Sequence, residues 1–255
     1  MSDSFDIRRL LAGWPYDPAN EARIVRGEDG REILQVRTPV GIEQLEIQGR
    51  PDGARPHGME SALEFHLRRL AKAKAAGNED GFKLDADECA ELFAEGTLYY
   101  FRYVRLLQLK RWVDTVRDTA RNLQLFDFVH EHAARAEDRN HLERWRPYIL
   151  RIHAMASAFM TLDQGAHKKA LKTVQEAMAR IEGLEERQDE TYAFERNRSL
   201  AALRDLEAQI EQARPVSALE RLEQQLQRAI GRQEFERAAE LRDRIRDMKS
   251  RQPAG

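Results

Sequence analysis

The stretch DADECAELFAEGTLYYFRYVRLLQLK, residues 85–110, decides the fold. Asp85 with Glu88 three places on is a capping box, the signature of a helix start. Beyond it Cys89, Leu92, Phe93, Tyr99, Tyr103 and Leu106 recur at helical spacing, so they mark the buried side of one long helix. Gly96 sits inside this pattern at about 1 kcal/mol against alanine, or it lets a neighbour approach closely. The most apolar part, Leu98 to Leu109, is interrupted by Arg102 and Arg105. Nowhere do about 18 apolar residues run without a charge, so no spanning helix is expected.

Helical periodicity continues downstream. Trp112, Val116, Ala120 and Leu123 mark the next helix. Pro147 suits the first turn of another, through Ile152, Met155 and Phe159. Asp163-Gln164-Gly165 breaks it. Ala170, Val174, Ala177, Met178 and Ile181 start the next, and a last long helix runs from about Gln188 to Ala213 before Pro215. Thr115 to Leu123 and Thr173 to Ile181 share spacing, a weak internal echo. The body therefore reads as a helical bundle or a tetratricopeptide-like helical array.

Upstream the pattern changes. Most of the prolines and half of the glycines lie in residues 1–58. Arg23–Arg26, Glu32–Thr38 and Ile42–Ile47 alternate as strands, with Gly27-Glu28-Asp29-Gly30 as a hairpin turn. An antiparallel β-meander packed on helices is the expected arrangement. After Met59 a stripe of Leu63, Leu67, Leu70 and Ala71 predicts a helix closed by Gly77. The fold class is thus mainly α, with a small N-terminal antiparallel β-meander. The expected parts are a β-meander region at 1–58, a helical body at 59–214, a C-terminal antiparallel helical hairpin at 215–250 and a tail at 251–255.

The chain has 255 residues, with Lys+Arg 42 against Asp+Glu 44 and a net charge of −2. No global basic field points to nucleic acid. The single cysteine, Cys89, excludes an intramolecular disulfide framework and a multi-cysteine zinc module. The acidic, polar start from Met1 to Ile7 lacks the pattern of a secretory signal, so a cytoplasmic location is expected.

The hairpin carries the clearest motif. Ser217-Ala218-Leu219-Glu220 reads as a capping box, Leu219, Leu222, Leu226 and Ile230 as one stripe, and Gly231-Arg232-Gln233-Glu234 as the break. Phe235, Ala238, Leu241, Ile245 and Met248 form the facing stripe, and the small Ala229, Ala238 and Ala239 let the helices approach. Leu222, Leu226 and Ala229, followed by Phe235-Glu236-Arg237-Ala238-Ala239-Glu240-Leu241-Arg242-Asp243-Arg244-Ile245, resemble the UVR motif over residues 218–249. That short hairpin occurs in the excision-repair proteins UvrB and UvrC, and similar hairpins occur in McsA-type kinase activators and ClpC-type chaperones. The resemblance implies pairing with a protein that bears a matching hairpin, or self-association, rather than chemistry. It implies Phe235 as an apolar anchor, Ala238 and Ala239 as a close-contact surface, and Arg242 and Asp243 as polar pairing groups. Arg242 has a local alternative, pairing with Glu236, Glu240 or Asp243 on a solvated face. The chain lacks the phosphate-binding loop of the UvrB-like and ClpC-like ATPases and the paired cysteines of McsA.

Signs of catalysis are weak. His130 and His132, two apart, lie on different sides of a helix, which does not suit a metal site. Cys89 with His66 has the residue types of a nucleophile and base, but Cys89 falls on the inner stripe, where cysteine is a small hydrophobe. A non-enzyme without cofactor or metal is expected. Arg102, Arg105, Arg117 and Arg121 interleave with Tyr99 and Tyr103, a combination that suits a groove for an acidic peptide or for nucleic acid. The competing reading has the tyrosines in the core and the arginines paired with Glu91, Glu95, Asp114 and Asp118. Arg23, Arg26, Arg31 and Arg37 read as a solvated sheet face. Two functions follow: an adaptor that captures a protein partner through the hairpin, or a nucleic-acid-associated accessory of excision repair or stress response. The adaptor is the favoured one.

Overall fold

The computed structural model describes residues 6–213 and 218–250. The expected capping box that begins at Ser217, the stop at Pro215 and the tail at 251–255 lie outside the described residues. Two compact units divide the chain, residues 1–209 and 210–255.

The first unit opens with α1 (Arg8–Gly13) and a meander of β1 (Ala22–Arg26), β2 (Glu32–Thr38) and β3 (Gly41–Glu46), antiparallel in the order β1-β2-β3. Ile24 faces Leu34 across the first pair and Leu34 faces Leu45 across the second. Three strands have too little apolar surface to stand alone. Leu34, Val36 and Ile47 are instead buried together with Leu106. Leu106 lies on α3 (Ala86–Gln108), which starts at the Asp85–Glu88 capping box the sequence predicts. The helices continue as α2 (Ala62–Ala75) before it, then α4 (Trp112–His132), α5 (Ala136–His141), α6 (Arg146–Leu162), α7 (His167–Glu182) and α8 (Glu190–Ala213). Contacts run from α3 to α4, α4 to α6 and α6 to α7.

Three helix ends of this unit share one device. In a Schellman motif the chain leaves the helix through a residue with positive φ, bonded 5→2, and the next N–H bonds 6→1. Gly77 at φ 71°, Lys110 at 57° and Gly165 at 74° occupy that position after α2, α3 and α6. The 6→1 bonds are Asn78 N–H to Ala73 O, Arg111 N–H to Leu106 O and Ala166 N–H to Thr161 O, at 2.9, 2.9 and 3.1 Å.

Several sequence expectations change. Ala71 is exposed, and His66, at 1% exposure, takes its place on the buried side of α2. Arg37 is buried rather than solvated. Its Nε donates to Trp14 O at 2.8 Å and its Nη1 to Gly41 O at 3.1 Å, so it gathers backbone carbonyls that the sheet leaves unpaired. Arg23 lies over the Trp14 ring at 3.9 Å. The segment Trp14-Pro15-Tyr16-Asp17-Pro18, ahead of the first strand, is thereby tied to the sheet. Among the described residues, no helix is long and apolar enough to cross a membrane.

Candidate functional site

The second unit contains α9 (Ala218–Gly231) and α10 (Phe235–Ser250), packed as a pair. Leu222 and Ala229 meet Ala238, Leu241 and Ile245, with Leu219, Leu226 and Met248 packed against them. The inward positions step by three and four residues, as antiparallel helices require. Ala229 and Ala238 carry the small side chains that allow close approach. Between the helices Gln233 stands at φ 58° and completes a fourth Schellman motif, with its own N–H bonded to Ile230 O at 3.0 Å and Glu234 N–H to Ala229 O at 2.9 Å. Lys249 Nζ reaches across to Glu223 at 2.9 Å.

The stripes differ from the expected ones at the turn. Ile230 is 48% exposed and Phe235 is 71% exposed. Ala229, one residue earlier, takes the inward place expected of Ile230, because Ile230 lies about 100° further round the helix. Phe235 opens α10 at the turn end. Helical side chains lean toward the N-terminus, so its ring leaves the hairpin at the turn, where α9 has already ended.

The motif residues therefore divide. Ala238 is spent inside the hairpin, whereas Phe235, Ala239 and Arg242 are on its outside and Asp243 is half-buried. Arg242 bonds Asp243 at 3.4 Å, and Arg246 also lies 3.5 Å from Asp243. Such exposed pairs contribute about 0–1 kcal/mol. The local alternative for Arg242 is thus present in geometry, but weakly held.

The four central arginines and Tyr99 are engaged with other groups of the chain rather than set along a groove. Arg102 is 0% exposed. Its Nε and Nη2 bind Asp118 at 2.6 and 2.8 Å, and its Nη1 donates to Glu46 O and Gly49 O. Arg117 joins Asp114 and Asp118 and donates to Ile47 O. Arg105 pairs with Glu21 and Arg121 with Glu95. Tyr99 is buried under the guanidiniums of Arg102 and Arg121, and burial pushes its phenol up to about 12. Tyr103 is buried too, and burial holds it well above the ordinary tyrosine value. The pairing with Glu95, Asp114 and Asp118 is that of the competing sequence reading, with one difference: it is internal and joins the sheet to the helices.

The sequence reading offered Glu95 only as a partner for the arginines, and not as a buried anchor of α2. It is fully buried and accepts from Ala62 N–H at 2.7 Å and Leu63 N–H at 3.0 Å, the free donors at the start of α2. Arg50 binds it at 3.1 Å, which docks the segment Arg50-Pro51-Asp52-Gly53 that follows the sheet. A carboxylate on the inner stripe, three residues from an aliphatic core position, was the available signal.

Cys89 is 0% exposed and burial pushes its thiol up to about 11. A thiol held neutral in the core is a poor nucleophile. His66 accepts from Arg69 at Nδ1, 3.0 Å, and lies 3.7 Å from Glu91 at Nε2.

Residues 217–251 match the family model described as the UvrB/uvrC motif, UVR. No curated protein and no solved structure matches the chain. The match coincides with the α9–α10 hairpin, so what the comparisons identify in this chain is a UvrB/uvrC motif at residues 217–251.

Proposed function

We propose that the chain is a non-enzymatic adaptor or regulatory protein that engages a protein partner through its UVR hairpin. The partner of best fit is a protein with a matching hairpin, a second copy of this chain included. The carrying observation is the exposure of Ile230 and Phe235 on either side of the turn. A hairpin of this size is below the range that is usually self-sufficient, and leaving two large apolar side chains outside wastes burial it needs. A partner that covers them recovers that burial. A role linked to excision repair follows from the motif's occurrence in UvrB and UvrC. The nucleic-acid reading has less support, because Arg102, Arg105, Arg117 and Arg121 each pair with a carboxylate of this chain.

The test compares the full chain with one stopped after Arg214, as baits in nuclease-treated lysate, with sedimentation velocity on both. The adaptor reading expects a hairpin-bearing protein, or dimer formation, with the full chain alone. Identical captured sets and identical monomeric mass for the two baits refute it.

A further inference from the structure

A cavity of about 380 Å³ lies within the first unit, among α3, α4, α6 and α8. This volume falls in the range of small-molecule sites, and one water occupies only about 30 Å³. Its walls are mostly aromatic: Phe93, Tyr100, Tyr103, Phe126, Trp145 and Tyr148. Trp145 and Tyr100 remain 43% and 40% exposed, so its mouth reaches solvent.

The polar lining is led by Glu195, which is 5% exposed. Among the described residues, its Oε2 has no hydrogen-bond partner. Arg151 Nη2 lies 3.8 Å from that oxygen, and Arg198 Nη1 lies 3.7 Å from Oε1. Both guanidiniums are too far for a hydrogen bond but close enough to balance the charge. What Glu195 lacks is a donor, not a counter-ion. A cationic guest meets two arginines, and an anionic guest meets the carboxylate. A neutral guest with an N–H edge supplies the missing donor and disturbs neither pair. The aromatic walls favour a flat ring, which stacks whatever its sequence or substituents. Burial keeps the Tyr148 phenol up at about 12, so this wall stays uncharged at neutral pH.

The geometry points to a binding site for a neutral planar heteroaromatic ring with an N–H donor edge, of nucleobase or indole type. Glu195 accepts from that edge, and Tyr100, Tyr148 and Trp145 supply stacking faces. The site is independent of the hairpin.

Isothermal titration calorimetry on the full chain tests it with four neutral probes. These are adenosine, N6,N6-dimethyladenosine, N-acetyltryptophanamide and its 1-methylindole derivative. At least one unmethylated ring should bind one to one, and the arm that binds identifies the source as nucleobase or indole. Its methylated analogue should bind about tenfold weaker or worse, the loss of one hydrogen bond to a charged acceptor. Glu195→Gln should weaken the unmethylated probe similarly, and Tyr100→Ala, at the exposed mouth, should also weaken it. The proposal is overturned if neither unmethylated ring binds at millimolar concentration, if methylation changes nothing, or if choline binds better than both. The methylated probes act on the wild-type chain, so the test survives a Glu195→Gln variant that fails to fold.

Discussion

Arg102 and Asp118 form a bidentate ion pair, at 2.6 and 2.8 Å, with both side chains removed from solvent between α3 and α4. The third guanidinium nitrogen holds Glu46 O and Gly49 O at the end of the sheet. One side chain thus joins two helices and the meander. Removing one member of a buried pair leaves the other charged and unpaired, at about 3–5 kcal/mol. Arg102→Met should therefore destabilise the first unit by about 3–5 kcal/mol, or lower Tm by roughly 6–20 °C at this size. Differential scanning calorimetry of the full chain measures it. A shift under about 2 °C would remove the pair from its place in the fold.

Two helix ends adopt positive φ without glycine, Lys110 after α3 and Gln233 after α9. A side chain costs about 1–2 kcal/mol in the left-handed region, part of which glycine returns as unfolded-chain entropy. Lys110→Gly and Gln233→Gly should each stabilise their own unit, by about 0.5–1 kcal/mol in urea unfolding. Gly96 is the converse. A Cβ there would meet Leu125 at 3.8 Å, ordinary contact, so Gly96→Ala should stabilise α3 by about 0.5–1 kcal/mol.

Burial lowers His66, His132 and His153 below the ordinary imidazole value. The unfolded chain then binds protons that the folded chain refuses. Their contribution is complete above the unfolded pKa of about 6.5 and is lost as pH falls below it, toward the folded values. Urea midpoints should fall between pH 7.5 and pH 5.5, and His153→Asn should flatten that fall. A midpoint that rises on acidification has the wrong sign for these three groups.

With no exposed surface and a thiol pushed up to about 11, Cys89 should not react with a disulfide reagent at pH 8 while the chain is folded. Its labelling rate should follow opening of the fold, rising with urea as unfolding does. Rapid stoichiometric labelling in buffer alone would contradict the core position.

The fold was largely legible because periodicity reports which side of an element is apolar. The meander, the Asp85 capping box and the Gly77 and Gly165 stops all follow from local residue types. What escaped is the burial of certain polar side chains, and it has a common cause. Glu95, Arg102, Arg37 and His66 are polar residues buried by partners distant in the chain, such as Ala62 and Leu63 for Glu95. Polarity marks a surface only when no such partner exists. Lys110 and Gln233 escaped because their neighbours, and not their own side chains, impose the positive φ. In the hairpin, the stripe was legible, but Phe235 was assigned inward. Only the length of α9 shows that nothing stands opposite its ring. The cavity escaped because Trp145, Tyr148 and Glu195 come together only when α6 and α8 are placed.

The most direct test of the central claim is Phe235→Asp. At 71% exposure, Phe235 contributes little inside the hairpin, so helicity and Tm should match wild type, within about 0.5 kcal/mol. Both proteins are used as baits in nuclease-treated lysate, with capture of hairpin-bearing proteins quantified by mass spectrometry and self-association by sedimentation velocity. An apolar anchor at an interface contributes about 2 kcal/mol or more, so capture or dimerisation should fall at least about tenfold. Equal capture and equal mass for wild type and Phe235→Asp would contradict the claim that the hairpin tip is the partner surface.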